Sequence, residues 1–100
     1  MSDKPFSNPQ IRKLKALAQR LDPILRVGKE GVTGSFLKSV DEALGSHELI
    51  KIKFAAFKQG KHDLAAHIAG KTSSFLVAQV GHVAVFYRPH ADPAGRKISI

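Results

Sequence analysis

The Gly-Lys-Glu-Gly motif at residues 28–31 has the composition of a turn that binds an anion. It follows a short apolar run, Ile24–Val27, and precedes a segment whose apolar residues have helical spacing. A glycine-rich turn that leads into a helix directs backbone N–H groups and the positive end of the helix dipole at one point. Gly34 continues the spacing of the glycines, which permit positive φ and a close approach to a ligand. With the charge of Lys29, the sequence predicts a phosphate-binding turn.

This turn does not match the common nucleotide-binding motifs. No Gly-Lys-Ser/Thr sequence closes it as in a P-loop, and its spacing differs from the dinucleotide fingerprint Gly-x-Gly-x-x-Gly. A bare Gly-x-x-Gly is common, so a plain turn without a ligand remains an alternative interpretation. Glu30 opposes anion binding, because its carboxylate repels phosphate unless it points away.

Residue types that bind metals or catalyse reactions form no recognisable pattern. The five histidines, at positions 47, 62, 67, 82 and 90, include no helical zinc motif, and the chain has no cysteine. No serine lies in a Gly-x-Ser-x-Gly setting, although a triad assembled by the fold remains open. We therefore expect no metal, cofactor, small-molecule substrate or catalysis. Apart from Phe6, the phenylalanines and Tyr87 lie in core-like patterns, so we expect no exposed aromatic platform for nucleobases.

Charge is the strongest global signal of the sequence. Sixteen Lys and Arg residues against eight Asp and Glu residues give a formal net charge of +8 over 100 residues. This excess favours a polyanion such as nucleic acid, with an anionic membrane surface as a weaker alternative and an ordinary soluble surface as the simplest one. No apolar run approaches the ~20 residues that span a bilayer. With no secretion signal and no cysteine, we expect a soluble cytoplasmic protein.

The first helix is predicted to start with Asn8 as its N-cap and Pro9 in its first turn, and to end at Asp22-Pro23. Helical spacing predicts a buried stripe of Ile11, Leu14, Leu17, Ala18 and Leu21. The opposite face contains no acid, and its candidate phosphate contacts are Arg12, Lys13, Lys15 and Arg20. An ordinary solvated face is the alternative, because Lys and Arg are good helix formers.

The remaining segments predict an α/β domain. Thr33 is placed to cap a second helix, which Gly45 closes. The alternating residues 47–54 predict a strand with Lys51 and Lys53 on its exposed face. Further segments indicate a turn over 57–60, a helix over 61–72, and a hairpin of strands 75–80 and 83–87. The order α-β-α-β-α-β-β predicts a four-stranded mixed sheet packed by three helices, because strand-helix-strand crossovers imply parallel pairing.

Three stretches, in the right order, resemble the CRM domain family, whose free-standing bacterial members are the YhbY-like proteins. They are Val27–Thr33, His47–Lys53, and Gly81 together with Phe86–Pro89. The resemblance covers about Asn8 to Pro89 and implies a fold like that of the C-terminal domain of a bacterial translation initiation factor. We accordingly divide the chain into a flexible N-terminal tail at 1–7, a CRM-like RNA-binding domain at 8–89 and a basic C-terminal tail at 90–100.

The resemblance also implies a function, because family members bind RNA. YhbY-like proteins associate with precursors of the large ribosomal subunit, and plant relatives with several such domains promote intron splicing. The implied partner is ribosomal RNA or a pre-ribosomal particle, bound by a monomer. The candidate RNA contacts are Gly28, Lys29, Glu30, Gly31, Thr33, Arg12, Lys13, Lys15, Arg20, Lys51 and Lys53.

Two residues depart from the family pattern. Ser73 follows the third helix where the family usually has glycine, and Glu30 takes a turn position that is often neutral. Two other functions also remain open at this point: an adaptor that binds ribosomal proteins, and a small nuclease.

Overall fold

The computed structural model of the protein describes residues 6–57 and 59–100. Its elements are α1 (Asn8–Ala18), β1 (Leu25–Val27), α2 (Gly34–His47), β2 (Leu49–Phe54), α3 (Lys61–Thr72), β3 (Phe75–Val80), β4 (Val83–Tyr87) and a short 3-10 turn (Pro93–Gly95). The predicted α/β fold class and the order α-β-α-β-α-β-β are confirmed. The predicted turn over 57–60 also forms, with Gly60 N donating to Phe57 O at 3.1 Å; residue 58 lies outside the described residues.

The four strands form one sheet in the order β1-β2-β4-β3. β1 runs parallel to β2, as a crossover through α2 requires, and the other two pairings are antiparallel. β1 is therefore an edge strand, and it is only three residues long. The register places Arg26 beside Lys53, which in turn lies beside Val83 on β4.

Apolar residues form two clusters, one on each face of the sheet. α2 and α3 cover the face formed by Ile50, Ile52 and Phe54, which are buried as predicted. α1 covers the other face, where the buried cluster consists of Ile11, Leu14, Ala18, Leu49, Val77, Val85 and Tyr87. α1 and α2 therefore lie in different layers of the molecule.

The start and the apolar stripe of α1 differ from the prediction. The N-cap is Ser7 rather than Asn8, because Ser7 forms a capping box with Gln10. Ser7 Oγ accepts from Gln10 N at 3.3 Å, and Gln10 Oε1 accepts from Ser7 N at 2.9 Å. Leu17 and Leu21, predicted to be buried, are 36% and 38% exposed. The predicted end at Asp22-Pro23 is also wrong, because the helix ends at Ala18 with Gln19 as its C-cap. Leu21 therefore lies beyond the stripe, and Leu17 lies at its edge.

Two helices end in residues with positive φ. The prediction that Gly45 closes α2 is wrong, because the helix continues to His47 and Glu48 takes up a φ of 63°. α3 ends at Thr72, as predicted, and Ser73 adopts the left-handed conformation at φ 53°. The turn after α3 thus keeps a backbone that glycine adopts without strain, although serine occupies the position.

Arg88 ties the helices α2 and α3 to the end of β4. Its guanidinium donates to the Asp41 carboxylate at 2.6 Å, to Asp41 O at 3.0 Å and to Thr72 O at 2.9 Å. Its backbone N–H donates to Glu48 O at 2.8 Å. Arg88 therefore has a structural role.

Glu48 anchors the segment that the sequence marks as a basic C-terminal tail. Its side chain is 2% exposed, and its carboxylate accepts N–H groups from His90 at 2.7 Å, Lys97 at 2.5 Å and Ile98 at 3.0 Å. Burial alone raises the pKa of this carboxyl, but the three N–H donors and the nearby His90 together lower it from the usual 4.5. The segment is further fixed by Lys97 Nζ, which donates to Ser46 O at 2.7 Å.

Phe6 extends the apolar cluster beneath α1. Its ring makes edge-to-face contacts with Phe75 and Tyr87, at centroid distances of 5.2 and 5.4 Å. Phe6 and Ser7 thus make defined contacts, whereas the first five residues of the predicted N-terminal tail lie outside the described residues. Within residues 6–57 and 59–100, no helix is both long and apolar enough to cross a membrane.

Candidate functional site

The residues 28–31 form a tight turn between β1 and α2. Gly31 N donates to Gly28 O at 3.0 Å, and Gly31 has a φ of 74°. A Cβ at Gly31 would also lie 3.4 Å from the Phe57 ring. Gly28 and Gly34 differ, because neither has positive φ and a Cβ on either would meet nothing within 4 Å. The prediction that these glycines permit positive φ therefore holds for Gly31 alone, and the other two leave open space at the surface.

Hydrogen bonds on both sides hold this turn in place. On the strand side, Val27 O accepts from Ala55 N at 3.0 Å and Ala56 N at 3.1 Å, which joins the end of β1 to the residues that follow β2. On the helix side, Thr33 Oγ1 accepts from Phe36 N at 3.1 Å, so Thr33 is the N-cap of α2 as predicted. The first N–H groups of a helix have no partner within it, and those of α2 begin at the exposed Gly34.

An open concavity of about 540 Å³ lies against the turn and the first turns of α2. It is lined by Arg26, Gly28, Lys29, Glu30, Gly31, Thr33, Ser35, Phe36 and Ser39. Two cations, Arg26 and Lys29, and one acid, Glu30, contribute to this lining. Arg26 was missing from the candidate residues, although alternation along β1 places it on the surface between Leu25 and Val27. The concavity combines exposed positive charge, a helix N-terminus and open space at Gly28.

The predicted cations of α1 form a separate exposed surface. Arg12, Lys13, Lys15 and Arg20 are all exposed, the first three on α1 and Arg20 just beyond the end of the helix at Ala18. Across residues 6–57 and 59–100, an ion pair within 4 Å is formed between Arg88 and Asp41 and by no other pair, so none of these four cations has a carboxylate partner within those ranges. Because α1 covers one face of the sheet and the turn leads into α2 on the other, the two surfaces belong to different layers.

Lys51 and Lys53 lie on the α1 side of the sheet but differ in their surroundings. Lys51 is half-buried, and its ammonium donates to Leu21 O at 2.9 Å, so it fixes the connection that follows α1. Lys53 is exposed and is paired in register with Arg26, which lines the concavity. Lys53 and Arg26 thus form a basic link between the concavity and the α1 side of the sheet.

Phe57 is the aromatic residue whose exposure the sequence failed to predict. Its side chain is 49% exposed, and its ring contacts Gly31 of the turn. The expectation of buried aromatic side chains is therefore wrong at this position. Its place in a predicted turn rather than in an apolar repeat was the signal that could have revealed it.

Side chains that bind metals are not grouped in the described ranges. Among residues 6–57 and 59–100, no cluster of three or more His, Asp or Glu residues is placed to hold a metal ion. Beside the carboxylate of Glu30, the concavity offers backbone N–H groups, hydroxyls and two cations, which are groups suited to holding phosphate oxygens.

The fold and the turn define a class of small α/β domain in which a Gly-x-x-Gly turn joins a parallel edge strand to a helix. The chain belongs to the CRS1 / YhbY (CRM) domain family, whose model matches residues 6–88. This confirms the resemblance found in the sequence. The C-terminal segment that Glu48 anchors lies beyond the matched residues.

Similar proteins are found in several bacteria. The chain is 38% identical over 88 residues to an RNA-binding protein of Haemophilus influenzae, which covers 87% of this chain and 89% of the relative. It is 36% identical over 84 residues to a probable RNA-binding protein of Bacillus subtilis, YqeI, covering 83% and 88% of the two chains. It also resembles the solution structure of a Staphylococcus aureus protein, SAV1595, for which RNA binding has been suggested. That match has a TM-score of 0.75 and 31% identity, and covers 94% of this chain and 99% of the other.

Proposed function

We propose that this protein binds RNA, and that the turn at residues 28–31 holds the phosphate backbone. The observation that carries the proposal is the open concavity at the N-terminus of α2, where Arg26 and Lys29 surround exposed glycine backbone. The names of the related proteins from Haemophilus influenzae and Bacillus subtilis support the same assignment.

The phosphate would be held mainly by backbone and charge. Gly34 and Ser35 are exposed in the first turn of α2, where backbone N–H groups have no partner within the helix and the helix dipole favours an anion. Lys29 and Arg26 supply cations at the rim of the concavity. Because Gly28 has open space where a side chain would begin, a ribose-phosphate chain can approach the backbone closely. Thr33 contributes by capping and orienting α2.

Cations outside the concavity would add affinity without reading sequence. The exposed Arg12, Lys13 and Lys15 of α1, with Arg20 just beyond its end, form one such surface, and Lys53 with Arg26 forms the link to the turn. Contacts of this kind position a nucleic acid through its phosphates. Glu30 is exposed, so it can point away from a bound phosphate.

We further propose that the RNA is ribosomal RNA of the large subunit, free or in a pre-ribosomal particle, and that binding occurs during ribosome assembly. The protein would act as a cytoplasmic monomer, without catalysis and without a cofactor. A formal net charge of +8 on a domain of 100 residues suits a partner rich in phosphate.

Salt dependence tests the phosphate contacts. If about four to six phosphates are neutralised, log affinity for a large-subunit RNA fragment should fall with log salt concentration at a slope of roughly −3 to −5. The slope is measured by titrating labelled RNA at several salt concentrations. A flat dependence contradicts the proposal.

A triple variant separates RNA binding from a role as a protein adaptor. Replacing Lys29, Arg12 and Lys13 by alanine should abolish binding both to naked ribosomal RNA and to pre-ribosomal particles. If the variant still binds the particles, and the unmodified protein never binds naked RNA, the adaptor function is correct instead. Cleavage of the RNA by the pure protein would favour a nuclease.

A further inference from the structure

Phe57 combines two unfavourable features that its own fold does not explain. Its exposed fraction is 49%, and among the described residues it is the one aromatic side chain in the set of exposed large apolar residues. Its backbone φ is 56°, a left-handed conformation that bulky residues rarely adopt. Strained backbone of this kind is maintained where the surroundings or the function require it.

The other two residues with positive φ outside glycine have evident structural reasons. Glu48 is buried, and its carboxylate binds three backbone N–H groups. Ser73 is small, and it ends α3 in the usual left-handed cap. At Phe57 the turn hydrogen bond from Gly60 N to Phe57 O holds the backbone, but about half of the ring stays exposed at 49%, so its conformation points to a role for the exposed ring.

The strained backbone places the Phe57 ring against the proposed phosphate-binding turn. The ring atoms Cε2 and Cζ lie 3.4 and 3.5 Å from the position that a Cβ on Gly31 would occupy. The two residues before it are held by the hydrogen bonds from Ala55 and Ala56 to Val27 O. The ring is not part of the lining of the concavity. It therefore stands beside the turn, with about half of its surface open to solvent.

We infer that Phe57 is a stacking platform for an unpaired nucleobase of the RNA strand whose phosphate is held at residues 28–31. The inference rests on the proposed function and names its ligand more closely, as a single-stranded RNA segment. Aromatic side chains stack on any base, because every base has a π-face. A base within a duplex is not free to stack in this way, so the platform selects unpaired RNA.

Two substitutions at Phe57 test this platform. Phe57→Gly removes the ring while keeping a backbone that adopts positive φ without strain. It should weaken binding of a single-stranded RNA oligonucleotide about 10-fold and leave binding of an RNA duplex of the same length unchanged. Phe57→Trp should keep the affinity. Since the chain has no other tryptophan, its emission reports on this position alone, and single-stranded RNA should quench it while the duplex does not.

Ile24→Ala and Ser73→Gly are the matched controls. Ile24 has the same exposed fraction, 49%, at the opposite end of β1 from the turn, and Ser73 has a comparable positive φ at the end of α3. Neither substitution should change the affinity for single-stranded RNA.

The outcomes separate this inference from the proposed function. If Phe57→Gly binds both RNAs as the unmodified protein does, or if emission from Phe57→Trp is unchanged at saturation with single-stranded RNA, the platform is disproved while RNA binding stands. If the unmodified protein binds neither RNA, the proposed function fails first and the platform fails with it. A 10-fold loss that appears equally with duplex RNA would also contradict base stacking.

Discussion

At the scale of single residues, the glycines near the turn have separable roles. Gly31→Ala should destabilise the protein by about 1–2 kcal/mol, because alanine is strained at a φ of 74°, while its Cβ would make only an ordinary van der Waals contact with the Phe57 ring. Gly28→Ala should leave stability unchanged within about 0.5 kcal/mol and weaken RNA binding, because its Cβ enters open space on the ligand side. Urea denaturation followed by circular dichroism, together with RNA titration, measures both effects.

Gly70→Ala provides the control for these two variants. Gly70 lies inside α3 with nothing within 4 Å of a Cβ, and it is not part of the lining of the concavity at the turn. The substitution should stabilise the protein by about 0.5–1 kcal/mol and leave RNA binding intact. If Gly28→Ala behaves in the same way as Gly70→Ala, Gly28 does not contact the ligand.

The buried carboxylate of Glu48 predicts a pH dependence of stability. Its pKa in the folded protein is lowered from 4.5, so between the two pKa values the unfolded chain binds more protons than the folded one. The free energy of unfolding therefore rises with pH over that interval. The contribution of Glu48 is complete above 4.5 and is lost as pH falls through the folded pKa.

Glu48→Gln should remove this contribution and lower stability at neutral pH by about 2 kcal/mol, because charge-assisted hydrogen bonds are replaced by weaker ones. Urea unfolding of both proteins across the acid range measures the difference. Glu42→Gln, which removes an exposed carboxylate of α2, is the matched control. If the free energy of unfolding depends on pH in the same way in Glu48→Gln and in the unmodified protein, the contact between Glu48 and residues 90–98 does not depend on the charge.

Sequence patterns identified residues whose role is local and missed residues whose role depends on distant contacts. Thr33 was predicted as a cap because an N-cap needs only the residues that follow it. From their neighbours in sequence, Glu48 was placed in the strand 47–54 and Phe57 in the turn 57–60. In the structure, Glu48 contacts the segment 90–98 and Phe57 contacts Gly31. Arg26 was missed because β1 is only three residues long, so its alternation, although present, is too short to stand out in the sequence.

At the scale of elements, α1 acts as a charged surface that can be altered without unfolding the protein. Replacing Arg12 and Lys13 by glutamine should reduce the magnitude of the salt slope by about 2 if both contact phosphates. Stability should change by less than about 0.5 kcal/mol, because neither residue has a carboxylate partner among the described residues. Titration of labelled RNA at several salt concentrations measures the slope.

The control replaces Lys38 and Lys71 by glutamine. The substitution makes the same change in net charge as the α1 variant, since each removes two cations. These exposed lysines lie on α2 and α3, in the layer opposite α1. An equal loss of affinity in both double variants would mean that overall charge, rather than the α1 surface, attracts the RNA.

The bounds of the elements were predicted correctly where they depend on nearby residues and wrongly where they depend on tertiary contacts. The predicted bounds of α3, β3 and β4 match the structure, because the turn at 57–60, β-branched runs and the Gly81-His82 turn are all local signals. The end of α2 was predicted at Gly45, whereas the helix continues until Glu48 can reach its partners. A glycine is only a candidate stop, and tertiary contacts decide whether it is used.

At the scale of the whole molecule, the folded unit extends past the region matched by the family model. Deleting residues 90–100 removes all three N–H donors from a buried carboxylate, which should destabilise the protein by about 3 kcal/mol or more. Thermal denaturation of the shortened chain measures this loss. Glu48→Gln should lower the free energy of unfolding by less in the shortened chain than in the full chain, because the substitution and the deletion remove the same interaction. Equal costs would show that Glu48 and the segment act independently.

Because β1 is short, the edge of the sheet that carries the proposed site should open locally. The turn at residues 28–31 is attached to a three-residue edge strand that pairs with β2 alone. Segments of this kind open locally, well below the free energy of global unfolding. The amide hydrogens of Leu25–Val27 should therefore exchange with deuterium through brief detachment of this edge. RNA bound at the turn should slow that exchange, because binding would stabilise β1 against local opening.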